Sequence, residues 1–169
     1  MTRWNLAFVL VAVAFPGDSQ AAALDADRNS FNGYQLETPV TSYSPLTQVG
    51  KFTTEFVHEV AVYENPDEVL ILDAVPLKKV RYRFADGLLE SVQLTYEGRE
   101  NRDRLLNWVE AHYGKLPGNE RRIIAQVVWH GEKMMIMLNY NRTQNEGALW
   151  FISPSLHGEI NRTTGSIPD

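Results

Sequence analysis

The strongest structural signal in this chain is the stretch VRYRFADGLLESVQLTYEG, residues 80–98. Apolar residues alternate with Arg81 and Arg83 before its midpoint and with polar residues after it. The midpoint is Asp86-Gly87, a pair suited to the positive φ angles of a two-residue hairpin turn. Because successive side chains of a strand point to opposite faces, the stretch predicts a β-hairpin with one apolar face and one polar face.

Further apolar runs on both sides of this hairpin predict additional strands. They occupy residues 52–63, 69–72, 123–129, 133–140 and 148–152. The connections between most of these runs are short and rich in turn residues, and such connections favour antiparallel pairing. The sequence therefore predicts an antiparallel β-sheet built from hairpins.

One amphipathic helix is predicted at residues 101–113. Asn101 is a suitable N-cap, apolar residues recur at helical spacing, and Gly114 suits the left-handed position after a helix. A second short helix is predicted near residues 39–45, with Thr38 as its cap. The predicted fold class is therefore α+β, with the principal helix packed on one face of the sheet.

The first residues have the pattern of a secretory signal peptide. Arg3 supplies a single charge, residues 4–15 form an apolar run, and small residues precede a predicted cleavage after Ala23, or alternatively after Ala21. The apolar run is shorter than the ~20 residues of an ordinary transmembrane helix, and an uncleaved N-terminal anchor is the alternative interpretation. The mature chain is predicted to be periplasmic or secreted, without a membrane span. The predicted organisation is a signal peptide at 1–23, a flexible leader at 24–30, a single α+β domain at 31–156 and a polar tail at 157–169.

The composition is that of an ordinary globular protein, and it excludes several classes of function. The chain has 169 residues, a formal net charge of -5 and no cysteine. The lack of cysteine excludes disulfide frameworks, thiolate zinc sites and cysteine nucleophiles. The acidic balance argues against nucleic acid as a partner, because that binding needs clustered basic residues. The G-x-S-x-G, H-E-x-x-H and phosphate-loop motifs are absent from the sequence, which favours a noncatalytic protein without a cofactor.

The candidate partner-binding residues are Arg81, Arg83, Trp129 and Trp150. The two arginines share one face of the predicted hairpin, and two lysines lie just before them. An arginine-rich strand face suits an anionic ligand or a protein partner, and an exposed tryptophan is a frequent interface anchor. The alternative is a hydrated hairpin face that deters edge pairing, with both tryptophans in the core.

The sequence is also compatible with two other functions, hydrolysis and copper binding. His112 on the predicted helix would serve as the base of a hydrolase if a concave pocket gathers it with an acidic group. Met135 and Met137 share a strand face near His130, and thioethers suit Cu(I) in exported proteins. Met134 is instead in phase with the apolar face, so gap filling in the core is the other interpretation of these methionines.

Five stretches of the chain form one combined pattern. They are YRFADGLLESVQLTYEG at 82–98, N-x-x-x-L-x-x-W at 101–108, HYG at 112–114, VVWHGEKMMIMLNY at 127–140 and ALWFIS at 148–153. This combination resembles a kind of small exported bacterial protein of uncharacterised function. The resemblance implies export and an α+β fold, and it implies no catalytic residue.

The predicted function is that of an exported, noncatalytic envelope domain that binds a protein or small-molecule partner. The signal pattern, the β-rich fold and the missing catalytic motifs favour this prediction. A homodimer is compatible with it, because several predicted strands carry apolar residues on both faces. The alternatives are a small periplasmic hydrolase and a copper-binding periplasmic protein.

Overall fold

The computed structural model describes residues 22–23, 28–54, 58–116 and 125–161. Its architecture is α+β, an antiparallel sheet with one principal helix packed against it. The strands are β1 (Ala22–Ala23), β2 (Ser30–Phe31), β3 (Tyr34–Gln35), β4 (Thr47–Thr53), β5 (Glu59–Glu64), β6 (Ile71–Leu72), β7 (Val75–Ala85), β8 (Leu88–Glu97), β9 (Gln126–His130), β10 (Met135–Asn141) and β11 (Glu146–Ile152). The helices are α1 (Arg99–Tyr113) and α2 (Pro154–Asn161).

The main sheet runs in the order β1, β9, β10, β11, β8, β7, β5, β4, and β6 also pairs with β7. Its pairs are antiparallel except for β1, which lies parallel to β9. The short strands β2 and β3 form a separate hairpin. The predicted antiparallel α+β fold is thus confirmed.

The hairpin predicted at residues 80–98 lies at the centre of this sheet. Strands β7 and β8 form it, with Asp86 at φ 47° and Gly87 at φ 85° in the turn. Tyr82 lies opposite Val92, and both are fully buried. The predicted turn and the predicted alternation are both confirmed.

The main sheet has an inner face, covered by α1, and an outer face. Leu105, Val109 and Tyr113 of α1 pack into one core with the buried side chains of the inner face. Those side chains are Tyr82, Val92, Leu94, Trp129, Ile136, Leu138, Leu149 and Phe151. Burial of one large apolar side chain contributes about 1.5–3 kcal/mol, so this layer is the main source of folding free energy.

Helix α1 begins at Arg99, two residues before its predicted start. Gly98 has a φ of 88° and lets the chain turn directly from β8 into the helix. Asn101 lies inside the first turn, where its side-chain amide donates to the Glu97 carbonyl at 2.8 Å. Asn101 is therefore not the N-cap. The predicted end is confirmed, because Gly114 is the C-cap with a φ of 115°.

Some local predictions differ from the structure. The short helix predicted near residues 39–45 is a single 3₁₀ turn at Val40–Ser42, and Pro39 rather than Thr38 precedes it. The strand predicted at residues 52–63 is two strands, because the chain reverses between β4 and β5. Residues 55–57 of that prediction, and 123–124 of the strand predicted at 123–129, lie outside the described residues.

Helix α2 extends through residues 157–161, where the sequence predicts a polar tail. The Ser153 hydroxyl accepts the Leu156 amide at 3.2 Å and so caps the helix. Ile160 is 3% exposed and packs against Val60 and Ala85. One buried isoleucine gives no visible periodicity in the sequence, so the helix was not predicted.

Much of the predicted signal peptide and leader lies outside the described residues. Only residues 22–23 of the signal peptide and residues 28–30 of the leader are described. Within the described parts of the chain, neither helix has the length and the apolarity needed to cross a membrane.

Candidate functional site

A groove of about 1150 Å³ lies on the outer face of the sheet. Residues of β7, β8, β10 and β11 line it, together with the loop that joins β10 to β11. Its basic side chains are Lys78, Lys79, Arg81 and Arg142. The groove therefore contains two of the four predicted partner-binding residues, Arg81 and Trp150.

The strand register brings Arg81 and Trp150 together. Arg81 on β7 lies opposite Gln93 on β8, and Gln93 lies opposite Trp150 on β11. Neighbouring strands are about 4.8 Å apart, so the two residues are separated by one intervening strand, about 10 Å. The row of Arg81, Gln93 and Trp150 forms a continuous polar and aromatic surface across the groove.

Arg83 supports Trp150 rather than lining the groove. Its guanidinium carbon lies 5.8 Å from the centre of the Trp150 ring and 5.9 Å from that of Phe52. Such cation–π contacts stabilise by about 0.5–2 kcal/mol, depending on desolvation. The Trp150 indole nitrogen is buried and has no hydrogen-bond partner among the described residues. Packing against Arg83 therefore helps to hold the Trp150 ring in place.

Two half-buried glutamates pair with basic side chains of the groove. The Lys78 ammonium lies 2.8 Å from Glu146, and this hydrogen bond raises the pKa of Lys78 above its usual value. The Arg81 guanidinium donates to Glu64 at 3.1 Å. The Lys78–Glu146 pair is exposed, and exposed pairs contribute about 0–1 kcal/mol, so an incoming carboxylate can replace Glu146 at small cost.

The structure excludes Trp129 from the candidate surface. Trp129 is fully buried on the inner face, and its indole nitrogen donates to the Gly114 carbonyl at 3.1 Å. This bond joins β9 to the end of α1. Trp129 alternates in phase with Val127, which is also buried, and so belongs to the core.

A second pocket, of about 340 Å³, lies beside α1 and gathers His112 with the acidic residue Glu68. His112 is exposed, its Nδ1 donates to the Trp108 carbonyl at 2.7 Å, and its ring stacks on Trp108 at 4.5 Å. Glu68 accepts the Tyr82 hydroxyl, and burial together with this carboxylate raises the pKa of Tyr82 far above its usual value. His112 and Glu68 both line this pocket, and this is the observation that bears on the hydrolase alternative.

Sequence reasoning missed a buried carboxylate at Glu90. The register of β7 and β8 shifts between Arg83 and Phe84, so Glu90 has no residue opposite it on β7. Glu90 is fully buried, its carboxylate accepts the His157 ring nitrogen at 2.7 Å and the Ser91 hydroxyl, and Arg83 lies 3.7 Å away. Burial alone would raise the pKa of Glu90, but His157, Arg83 and Ser91 together hold that pKa below its usual value. The only sign of this buried carboxylate in the sequence was a glutamate between Leu89 and Ser91.

Comparisons with protein-family models, curated proteins and solved structures give no match for this chain. The resemblance to small exported bacterial proteins therefore stays a prediction. Among the described residues, no three histidine, aspartate or glutamate side chains are grouped so that they could hold a metal ion.

Proposed function

We propose that this chain is an exported, noncatalytic envelope domain and that its outer-face groove binds an acidic segment of a partner protein. The observation that carries the proposal is the gathering of four basic side chains with Trp150 in one groove of an acidic chain. Export rests on the signal-peptide pattern of residues 1–23 and on the resemblance described above.

The basic side chains of the groove favour an acidic partner. The groove is lined by four basic side chains and one carboxylate, that of Glu146, and Glu64 beside it pairs with Arg81, whereas the chain as a whole has a net charge of -5. A basic surface on an acidic protein attracts acidic ligands and repels basic ones, which raises the association rate and suppresses wrong partners.

The shape and the uncharged side chains of the groove suit an extended segment. The groove lies across four strands of a sheet, so its floor is long and open. Trp150 is half-buried and offers an aromatic contact, while Gln93 and Asn139 offer amide donors and acceptors. Aromatic anchors supported by a polar surround are typical of protein interfaces.

Crosslinking in living cells tests this proposal. A tagged chain is crosslinked, and the captured envelope proteins are identified by mass spectrometry. Wild type is expected to capture a partner with an acidic segment, while Arg81→Glu and Trp150→Ala are expected to reduce that capture about tenfold or more. The matched control is Arg104→Glu, because Arg104 is also paired to a glutamate, Glu100 at 2.6 Å, but lies on α1.

A hexaglutamate peptide provides the corresponding test with purified protein. The peptide is expected to perturb the amide NMR signals of the groove, and added salt is expected to weaken the effect. A hexalysine peptide is the opposite-charge control. Equal capture by wild type, Arg81→Glu and Trp150→Ala, or binding of hexalysine in the groove, would refute the proposal.

A small hydrolase is the second candidate function, and the pocket that gathers His112 and Glu68 favours it. Among the described residues, His112 has only the main chain of Trp108 as a hydrogen-bond partner, and in this mechanism it would act as the base that activates a water molecule. The test is turnover of p-nitrophenyl esters by wild type, His112→Asn and Glu68→Gln. Turnover by wild type that both variants lose would make this chain an enzyme.

A further inference from the structure

The pairing of β9 with β10 brings together three side chains that do not line the groove. His130 lies opposite Met135, and Val128 lies opposite Met137. Their strand neighbours Trp129 and Ile136 are fully buried on the inner face, so the histidine and both methionines lie on the outer face.

The spacing of these residues suits a shared ligand. Directly opposed residues on one face have Cβ atoms about 4.5–5.5 Å apart, which applies to His130 and Met135. Residues two apart along a strand are about 6.5–7 Å apart, which applies to Met135 and Met137. An imidazole and two long, flexible thioether side chains at these separations can converge on one ion.

The three side chains are also accessible. His130 is exposed and both outer-face methionines are partly exposed, whereas Met134 on the adjacent inner-face position is fully buried. Trp150 lies opposite Met137 and Ile152 lies opposite Met135 on the other neighbouring strand, so the site has an apolar border on that side. An apolar border favours a singly charged, weakly hydrated ion over a strongly hydrated divalent one.

We propose that His130, Met135 and Met137 bind one Cu(I) ion. Thioether ligands select soft ions, and imidazole is a good ligand for copper. Zn(II) instead prefers thiolate, imidazole and carboxylate donors, and the chain has no cysteine to supply a thiolate. All three ligands are neutral and stay unmodified, so the step is binding alone and the copper remains monovalent. His130, Met135 and Met137 do not line the groove, so the proposed metal ligands differ from the proposed partner-binding residues.

An anaerobic titration of the full chain with Cu(I) tests the proposal, with bicinchoninate as the competing chelator. Wild type is expected to remove one Cu(I) per chain from the chelator. Met135→Leu, Met137→Leu and His130→Gln are each expected to weaken Cu(I) binding about tenfold or more, since even residues behind the ligands of a metal commonly contribute that much. Leucine keeps the volume of methionine, so packing is preserved in the first two variants.

Met134→Leu is the matched control, because Met134 precedes Met135 but is buried on the inner face. It is expected to bind Cu(I) as wild type does, and thermal unfolding of each variant verifies that the fold is kept. The proposal fails if wild type takes no Cu(I) from the chelator, if Met134→Leu weakens binding as much as Met135→Leu, or if equimolar Zn(II) displaces the copper.

Discussion

His157 on α2 donates from its Nδ1 to the fully buried carboxylate of Glu90 on β8, at 2.7 Å. The two residues are 67 positions apart in the sequence. Together with the cap at Ser153, this bond fixes α2 across the end of the outer face. Arg83 is close to both Glu90 and Trp150, because its guanidinium lies 3.7 Å from the carboxylate and 5.8 Å from the centre of the aromatic ring. The buried charge therefore supports the aromatic part of the proposed groove.

Replacement of Glu90 by glutamine is expected to lower the free energy of unfolding by about 3 kcal/mol. The variant keeps the size of the side chain but removes the negative charge beside Arg83 and His157. Urea denaturation measures the change. Glu100→Gln removes an exposed pair with Arg104 and is expected to change stability by less than about 0.5 kcal/mol. Equal effects of the two substitutions would show that the buried position of Glu90 is unimportant.

The pH dependence of stability follows from the same carboxylate. The pKa of Glu90 is lower in the folded chain than in the unfolded chain, so the charged carboxylate stabilises the fold above the unfolded value of about 4.3. This stabilisation is lost as the pH falls from there through the lowered pKa. The difference in unfolding free energy between wild type and Glu90→Gln is expected to shrink below about pH 4. If the difference in unfolding free energy increased as the pH falls below about 4, the lowered pKa of Glu90 would be contradicted.

Gly147 is expected to tolerate no side chain. A Cβ atom at this position would collide with the Asn139 carbonyl and with the Tyr96 ring, whose hydroxyl donates to that carbonyl at 2.6 Å. Gly147→Ala is therefore expected to destabilise the chain by about 2–3 kcal/mol. Gly158→Ala is the control, because nothing lies near its Cβ position. Thermal unfolding of the two variants distinguishes a steric clash from a general intolerance of glycine replacement.

Trp129 and Trp150 are both among the predicted partner-binding residues, but substitutions at the two positions are expected to have different effects. Trp129→Phe loses the bond to Gly114 and some core volume, so it is expected to lower stability by about 1–3 kcal/mol without changing hexaglutamate binding. Trp150→Ala is expected to weaken peptide binding while the domain stays folded, because Trp150 lies on the outer face. A Trp129→Phe variant that stays folded but loses peptide binding would contradict this division.

Local signals were sufficient for the hairpin and for the end of α1. Asp86-Gly87 requires a turn and the flanking alternation requires two strands, because both depend on conformational preferences within a few residues. Gly114 marks the helix end for the same reason. The arginine face of β7 was also predictable, since alternation determines which residues share a face.

Contacts between distant strands set the remaining features, and no local preference encodes them. The register of β7, β8 and β11 aligns Arg81 with Trp150 through Gln93. Glu90 lies at the bulge between β7 and β8 and contacts helix α2. The buried Ile160 of that helix gives no periodic pattern in the sequence. Trp129 and Trp150 look equivalent in sequence, but the register of β9, β10 and β11 places them on opposite faces, and the position of α1 determines which face is covered. A side chain of the inner face is buried where the helix covers the sheet. The burial of Trp129 therefore depends on how α1 packs on the sheet, and the sequence of a single strand does not determine it.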